Sequence, residues 1–137
     1  MQNQYSLMQR VDEQEMFGLL ADQGVGSIPY SPVAKGRLTR PWGERTHRFD
    51  NDPVGHRFDD DRDRPMVAAL QRVAEARGIP MAKVALAWVF RNPVTAPIVG
   101  CTKLHHLTDA VAAFDVELTD DEVRALDEPY GSLRRSF

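Results

Sequence analysis

Apolar residues recur at helical spacing in five parts of the chain and form short apolar runs in three others. The helical patterns cover residues 11–24, 64–78, 79–93, 103–114 and 118–129, and the short runs lie at 2–7, 25–30 and 96–100. Glycine and proline punctuate the pattern: Gly24 and Gly78 are predicted to end helices, and Pro80 to begin one. The sequence therefore predicts the order strand, helix, strand, long loop, two helices, strand, two helices.

Two helix starts carry side-chain capping signals. Asp12 followed by Glu15 resembles a capping box at the first helix, and Thr119 followed by Glu122 matches one at the last. Pro129 is predicted to close that last helix, which makes residues 130–137 a tail. Between the second strand and the second helix, residues 37–64 are predicted to form a long loop, because they are rich in Gly, Pro, Asp and Arg and lack periodicity.

Alternation of strands and helices predicts an α/β fold with a parallel sheet. Three parallel strands leave two edges unpaired, so part of the sheet is expected to be missing. The 137 residues, 42% hydrophobic and 27% charged, fit one globular unit, and the net charge of −3 argues against a broad nucleic-acid face. No membrane-spanning or signal segment is apparent, and the single Cys101, interpreted as a small packed residue, favours a reducing cytoplasm.

The stretch "TAPIVGCTKLHHL" (residues 95–107) passes from an apolar run through Gly100 to a lysine and a helix. Helix N-termini attract anions, and a glycine lets a phosphate approach the backbone. The pattern alone is compatible with a phosphate site or with a simple turn.

The segments "QNQYSL", "GSIPYSPVAKGRLTRPWG" and "KVALAWVFRNPVTAPIVGCTKLHHLTDAVAAFDVELTDDEV" together resemble the C-terminal half of an aldo-keto reductase. The resemblance implies a partial (β/α)8 TIM barrel, in which the three parallel strands with flanking helices are numbers six to eight and residues 1–137 are one C-terminal half. It implies a segment of a cytoplasmic NADPH-dependent oxidoreductase acting on carbonyl or alcohol substrates. NADP is expected in preference to NAD, and neither a nucleic-acid nor a membrane partner is expected.

The family's catalytic Asp, Tyr, Lys and His belong to the half that the resemblance does not cover. Tyr5, Tyr30 and Tyr130 do not stand in the matching context, and the four histidines lie in other elements. No catalytic residue and no metal ligand is therefore assigned, and the chain alone is expected to be inactive.

The resemblance places much of the family's cofactor site in this chain. Gln2 matches the residue that binds the nicotinamide carboxamide, and Tyr30 matches the aromatic residue that stacks on the nicotinamide ring. The loop around the pyrophosphate corresponds to Ser31, Pro32, Val33, Lys35 and Gly36. The 2′-phosphate and adenosine side corresponds to Gly100, Thr102, Lys103, His106 and Asp109, although Ala110 stands where many relatives have asparagine.

Other interpretations stay open at this stage. Gln2 and Lys103 are also compatible with solvated surface side chains, and Tyr30 with a core tyrosine. The chain is alternatively a non-catalytic half-barrel that self-associates through its unpaired strand edges, or a truncated product without independent function.

Overall fold

The structure is a computed structural model that describes residues 1–44 and 61–134, with the side chains of 132–134 left undescribed. Residues 45–60, which include His47, His56 and much of the predicted loop, lie outside the described residues. Residues 135–137, the end of the predicted tail, also lie outside them.

Helices make up most of the described chain. The α-helices are α1 (Met16–Asp22), α2 (Arg64–Arg77), α3 (Met81–Phe90), α4 (Leu104–Ala112) and α5 (Asp120–Arg134). Short 3₁₀ helices span Val11–Glu13, Ala34–Thr39, Asp61–Asp63 and Ala113–Asp115.

The predicted boundaries of α2 and α3 are confirmed. Pro65 occupies the first turn of α2, and Gly78 ends the helix in the left-handed conformation with φ of 63°. Pro80 is the N-cap of α3. Proline suits these starts because the first backbone N–H groups of a helix have no partner within it, and glycine adopts positive φ without strain.

The prediction for the start of α1 is wrong. The helix begins at Met16 with Glu15 as N-cap and no side-chain capping bond. Asp12 instead accepts a hydrogen bond from Asn3 Nδ2 at 2.6 Å, so its carboxylate is committed to the first segment of the chain. Gly24 does follow the helix with φ of 65°, as predicted.

The last helix begins as predicted and ends later than predicted. Its capping box forms: the Glu122 N–H donates to Thr119 Oγ1, and the Thr119 N–H donates to Glu122 Oε2 at 2.7 Å. The helix then runs through Pro129 to Arg134. A proline removes one backbone donor, and here the contacts that Asp127 and Tyr130 make with Arg10 hold the helix beyond that point.

Three short parallel segments stand where the three strands are predicted, at residues 1–5, 26–30 and 95–99. Isolated parallel bridges join Gln4 to Tyr30 and Tyr30 to Ile98, which makes the segment of Tyr30 central. The Ile98 N–H donates to Pro29 O at 2.7 Å, and the Tyr30 N–H donates to Asn3 O at 2.8 Å. Order and direction agree with the prediction, but the described residues contain bridges rather than full-length strands.

The main core lies between these segments and helices α2, α3 and α5. Trp88 and Tyr5 are its largest fully buried side chains, and their rings stack at 5.5 Å, while Phe17 meets Tyr5 edge-on at 4.9 Å. A smaller cluster joins Leu86 of α3 to Ala110 and Ala113. The helices thus cover one side of the three segments.

Across residues 1–44 and 61–134, no helix has the length and apolarity that crossing a bilayer requires.

Candidate cofactor-binding site

Tyr30 lies at the centre of the side of the segments that the helices do not cover. Its backbone bridges both Gln4 and Ile98, so the three residues are lateral neighbours across the three segments. The Tyr30 side chain is 43% exposed, which excludes its interpretation as a core tyrosine. Ile98 is exposed to the same extent.

Alternation along the chain defines this open side. Asn3 and Tyr5 are buried on the helix side of the first segment, as are Ser27 and Pro29 on the second. Because successive side chains in an extended segment point to opposite faces, the exposed Gln2 belongs to the open side together with Tyr30.

The loop directly after Tyr30 has an unusual backbone. Ser31, Ala34 and Lys35 have positive φ values of 54°, 49° and 56°, and Gly36 has φ of 90°. Each non-glycine residue in this region costs about 1–3 kcal/mol, so the surrounding structure must hold the loop in shape. Part of that support is a hydrogen bond from the Gly36 N–H to Val33 O at 3.0 Å.

Side chains also hold this loop against the core. Pro32 is fully buried, and Val33 packs against both hydrophobic clusters. The side chain of Lys35 is exposed. The loop is thus a fixed turn at the carboxyl end of the central segment.

A second loop follows the third segment and opens α4. Gly100, Cys101, Thr102 and Lys103 are all exposed, and Lys103 is the N-cap of α4 without a side-chain capping bond. Thr102 Oγ1 lies 3.4 Å from Nδ1 of His106, one helical turn later. The exposure of Cys101 shows that its interpretation as a packed residue is wrong.

Asp109 is engaged between two helices. Nζ of Lys83 on α3 lies 3.1 Å from Asp109 Oδ1, and both side chains are partly exposed. The ion pair fixes α4 against α3, and the predicted adenosine contact must share this carboxylate with Lys83.

Sequence patterns missed a polar cluster that is centred on Arg10. Arg10 Nε and Nη2 donate to the two oxygens of Glu13 at 2.9 Å, and Nη1 donates to Asp127 Oδ1 at 2.8 Å. The guanidinium carbon lies 4.7 Å from the ring centroid of Trp88 and 4.9 Å from that of Tyr130. The cluster ties the turn after the first segment to α5, across 117 positions of sequence, so no local spacing signals it.

Burial and hydrogen bonding perturb the cluster's ionisation. Burial, together with the hydrogen bond that Tyr5 donates to Glu13 at 2.6 Å, raises the pKa of Tyr5. Although burial lowers the pKa of Arg10, its bonds to Glu13 and Asp127 raise it by more. Tyr5 is therefore held as a neutral hydrogen-bond donor, and Arg10 as a cation.

The described part of the chain, residues 1–44 and 61–134, contains no group of three or more His, Cys, Asp or Glu side chains arranged to hold a metal ion.

Comparison with known proteins identifies the class. A sequence profile of the Aldo/keto reductase family matches residues 1–130. The chain belongs to this family, whose fold is a (β/α)8 barrel.

Among individual relatives, the chain is 38% identical to versiconal hemiacetal acetate reductase of Aspergillus parasiticus, with 95% of this chain aligned. It is 40% identical, again over 95% of the chain, to the aldo-keto reductase NECHADRAFT_45914 of Fusarium vanettenii. It is 31% identical to the putative aryl-alcohol dehydrogenase AAD16 of Saccharomyces cerevisiae, with 98% of the chain aligned.

The chain spans 39%, 36% and 40% of the length of these three relatives, respectively.

Proposed function

We propose that the chain is the C-terminal, cofactor-binding half of an NADPH-dependent aldo-keto oxidoreductase barrel acting on carbonyl or alcohol substrates. In this proposal the segments at 1–5, 26–30 and 95–99 are barrel strands six to eight. The observation that carries it is the pair of parallel bridges on either side of Tyr30. They bring the loops after the second and third segments to the same end of the fold, which is where barrel enzymes bind their ligands.

In this proposal Tyr30 and Gln2 hold the nicotinamide, which supplies a hydride when the cofactor is bound. A tyrosine ring offers a flat face for stacking, and the 43% exposure of Tyr30 leaves it accessible. The Gln2 amide carries both donors and an acceptor, which complements a carboxamide. Both side chains lie on the open side, which supports their assignment to the nicotinamide.

The proposed phosphate contacts come from the two loops. Ser31, Pro32, Val33, Lys35 and Gly36 would wrap the pyrophosphate, mostly through backbone N–H groups in a turn already fixed in a strained shape. Fixing the loop in advance reduces the conformational entropy lost on binding.

At the start of α4, Gly100, Thr102 and Lys103 would hold the 2′-phosphate that distinguishes NADP from NAD. A cation at a helix N-terminus opposes the helix dipole, and an anion there would offset that cost. His106, within reach of Thr102, would extend the same group. Asp109 is proposed on the adenosine side, in competition with its ion pair to Lys83.

We further propose that the chain lacks the catalytic Asp, Tyr, Lys and His, and therefore binds cofactor without reducing carbonyls by itself. Tyr5, buried and bonded to Glu13, is a poor proton donor to a substrate. A cytoplasmic location stays a prediction from the sequence.

A cofactor titration tests the proposal. NADPH and NADH binding to the chain would be followed by cofactor fluorescence, for the unaltered protein and for Lys103→Ala. We expect Lys103→Ala to weaken NADPH binding by about tenfold, the loss of one charge-assisted contact, and to leave NADH binding unchanged. Arg72→Ala, which removes an exposed cation from α2, is the matched control.

Equal effects of the Lys103 and Arg72 changes, or no NADPH binding at all, would contradict the proposed site.

Self-association is the second candidate, favoured by the outer sides of the Gln4 and Ile98 segments, which pair with no further segment among residues 1–44 and 61–134. In that case the chain would be a non-catalytic half-barrel that pairs through its strand edges. Light scattering over a range of protein concentrations tests it, because edge pairing requires a mass that rises with concentration. A constant monomer mass would contradict it.

A further inference from the structure

A cleft of about 390 Å³ lies where α3 and α4 end. It is lined by the buried Ala87 and Ala113 and by the half-buried Val116 and Leu118, which lie in the connection to α5. Ligand pockets commonly have volumes of roughly 300–1,000 Å³, so the cleft suits a small molecule. We call it the α3–α4 cleft.

Two stacked phenylalanine rings form an apolar part of the α3–α4 cleft. The rings of Phe90 and Phe114 are nearly parallel, at 10°, and their centroids lie 3.8 Å apart. Phe90 covers one face of the Phe114 ring, but the Phe114 side chain is still 65% exposed. The other face of Phe114 is therefore accessible to a flat apolar group.

One cation and one anion line the same cleft. Arg91 is the C-cap of α3, Glu117 precedes α5, and both residues are exposed. Glu117 uses its backbone oxygen to accept a hydrogen bond from Arg77 Nη2 at 2.7 Å. Within residues 1–44 and 61–134, no hydrogen bond or ion pair engages the Arg91 guanidinium or the Glu117 carboxylate. Both charges are thus available to a ligand.

The α3–α4 cleft and the candidate cofactor site lie at opposite ends of α4. Gly100 and Lys103 precede this helix, whereas Ala113 and Phe114 follow it. The helix has nine residues, which separates the two places by about 14 Å. A small ligand in the cleft therefore leaves the candidate cofactor site open.

We infer that the α3–α4 cleft binds a free α-amino acid with an aromatic side chain. Its carboxylate accepts hydrogen bonds from Arg91, its ammonium group donates to Glu117, and its ring stacks on Phe114. A nucleotide or another polyanion fits less well, because Glu117 repels it. The inference does not rest on the proposed function.

The test uses L-phenylalanine as the probe and follows the backbone amides of the chain by NMR. We expect saturable shifts at residues 87–91 and 113–118. Hydrocinnamate lacks the ammonium group of the probe, and phenethylamine lacks its carboxylate. Each compound should bind about tenfold more weakly than L-phenylalanine, because it loses one charge-assisted contact.

Two variants assign the charges. Arg91→Gln should weaken L-phenylalanine binding about tenfold and leave phenethylamine binding unchanged. Glu117→Gln, which keeps the backbone oxygen bound to Arg77, should weaken L-phenylalanine binding and leave hydrocinnamate binding unchanged. Arg72→Gln, at an exposed position on α2, is the control and should leave all three affinities unchanged.

Absence of saturable shifts at residues 87–91 and 113–118, up to the solubility limit of L-phenylalanine, would overturn the inference. Shifts centred on Tyr30 instead would also overturn it, because they would place the probe on the open side. L-Phenylalanine affinity that neither Arg91→Gln nor Glu117→Gln changes would contradict the assigned charges and overturn the inference as well.

Discussion

Single residues set the spacing between the central and third segments, and Gly26 does so most directly. A Cβ added to Gly26 would lie 2.6 Å from Thr95 Oγ1. That hydroxyl cannot move away freely, because it accepts a hydrogen bond from the Ser27 N–H at 3.0 Å. The close approach explains why glycine stands at a position with no need of positive φ.

Gly26→Ala is therefore expected to destabilise the chain by about 1–3 kcal/mol, the usual cost of overpacking. Urea unfolding followed by tryptophan fluorescence measures it. Gly18→Ala is the matched control: nothing lies within 4 Å of the added Cβ, and Gly18 is inside α1, so this change should be neutral or stabilising by up to about 1 kcal/mol. Equal effects of the two changes would contradict the packing argument.

The sequence predicted helix ends and caps correctly where a local requirement of the backbone decides the residue type. Gly78 ends α2, and Thr119 caps α5, because positive φ and an N-terminal hydroxyl are local requirements. Asp12 failed as a cap because its partner is Asn3, nine positions earlier. A capping motif contains no information on a more distant residue, such as Asn3, that competes for the side chain of the cap.

At the scale of elements, the start of α5 is bound to the end of α2. Arg77 Nη2 donates to Glu122 Oε2 at 2.6 Å and to Glu117 O at 2.7 Å. The hydrogen bond from Arg77, aided by those from Thr119, lowers the pKa of Glu122 to about 2. The same carboxylate thus caps its own helix and anchors it to a neighbour.

This pair predicts an acid-dependent loss of stability. The folded-state pKa of Glu122 lies below its ordinary value of 4.5, so its contribution is complete above pH 4.5 and lost as pH falls towards 2. Arg77→Met should lower the free energy of unfolding at pH 7 by about 1 kcal/mol. Below pH 4.5, the free energy of unfolding of this variant should fall less steeply with decreasing pH than that of the unaltered protein. Urea titrations at several pH values check this, and an unchanged slope would contradict it.

The Arg10 cluster holds the other end of α5. Arg10→Met keeps an apolar stem between Trp88 and Tyr130 but leaves Glu13 and Asp127 without their cation. We expect this change to lower the free energy of unfolding by about 2–4 kcal/mol, because the guanidinium is partly buried and its removal leaves two carboxylates without a cation. Thermal unfolding measures it. Arg124→Met, which breaks the exposed pair with Asp121, should change stability by less than about 0.5 kcal/mol. A comparable shift for both would contradict the cluster's role.

Periodicity located every α-helix that the structure describes, but it did not fix where α5 ends. Pro129 is a local stop signal, and the helix passes it because Asp127 and Tyr130 are held by Arg10 from the start of the chain. Strand prediction succeeded for order and direction. It failed for length: the described residues contain isolated bridges rather than full-length strands, even in the central segment, which has a neighbour on each side.

At the scale of the whole molecule, the chain joins a well-packed helical layer to an open side with exposed apolar residues. The sequence anticipated this imbalance, since three strands are too few for a covered parallel sheet. It also predicted Gln2 and Tyr30 as cofactor-binding residues, and the alternation of side chains along the extended segments places both on the open side. It gave no signal for the strained backbone at Ser31, Ala34 and Lys35, because those residue types do not ordinarily adopt positive φ.

The proposal that this chain lacks the catalytic tetrad leads to the last prediction, on activity. With nitrobenzaldehyde as substrate, the isolated chain should oxidise NADPH no faster than buffer, because a positioned proton donor commonly supplies about 100- to 10,000-fold of the rate. Absorbance of NADPH measures this. Should turnover appear, Tyr30→Phe distinguishes its sources: this change keeps the stacking ring and removes the hydroxyl. Turnover that Tyr30→Phe abolishes would make Tyr30 a proton donor and contradict its assignment to cofactor stacking alone.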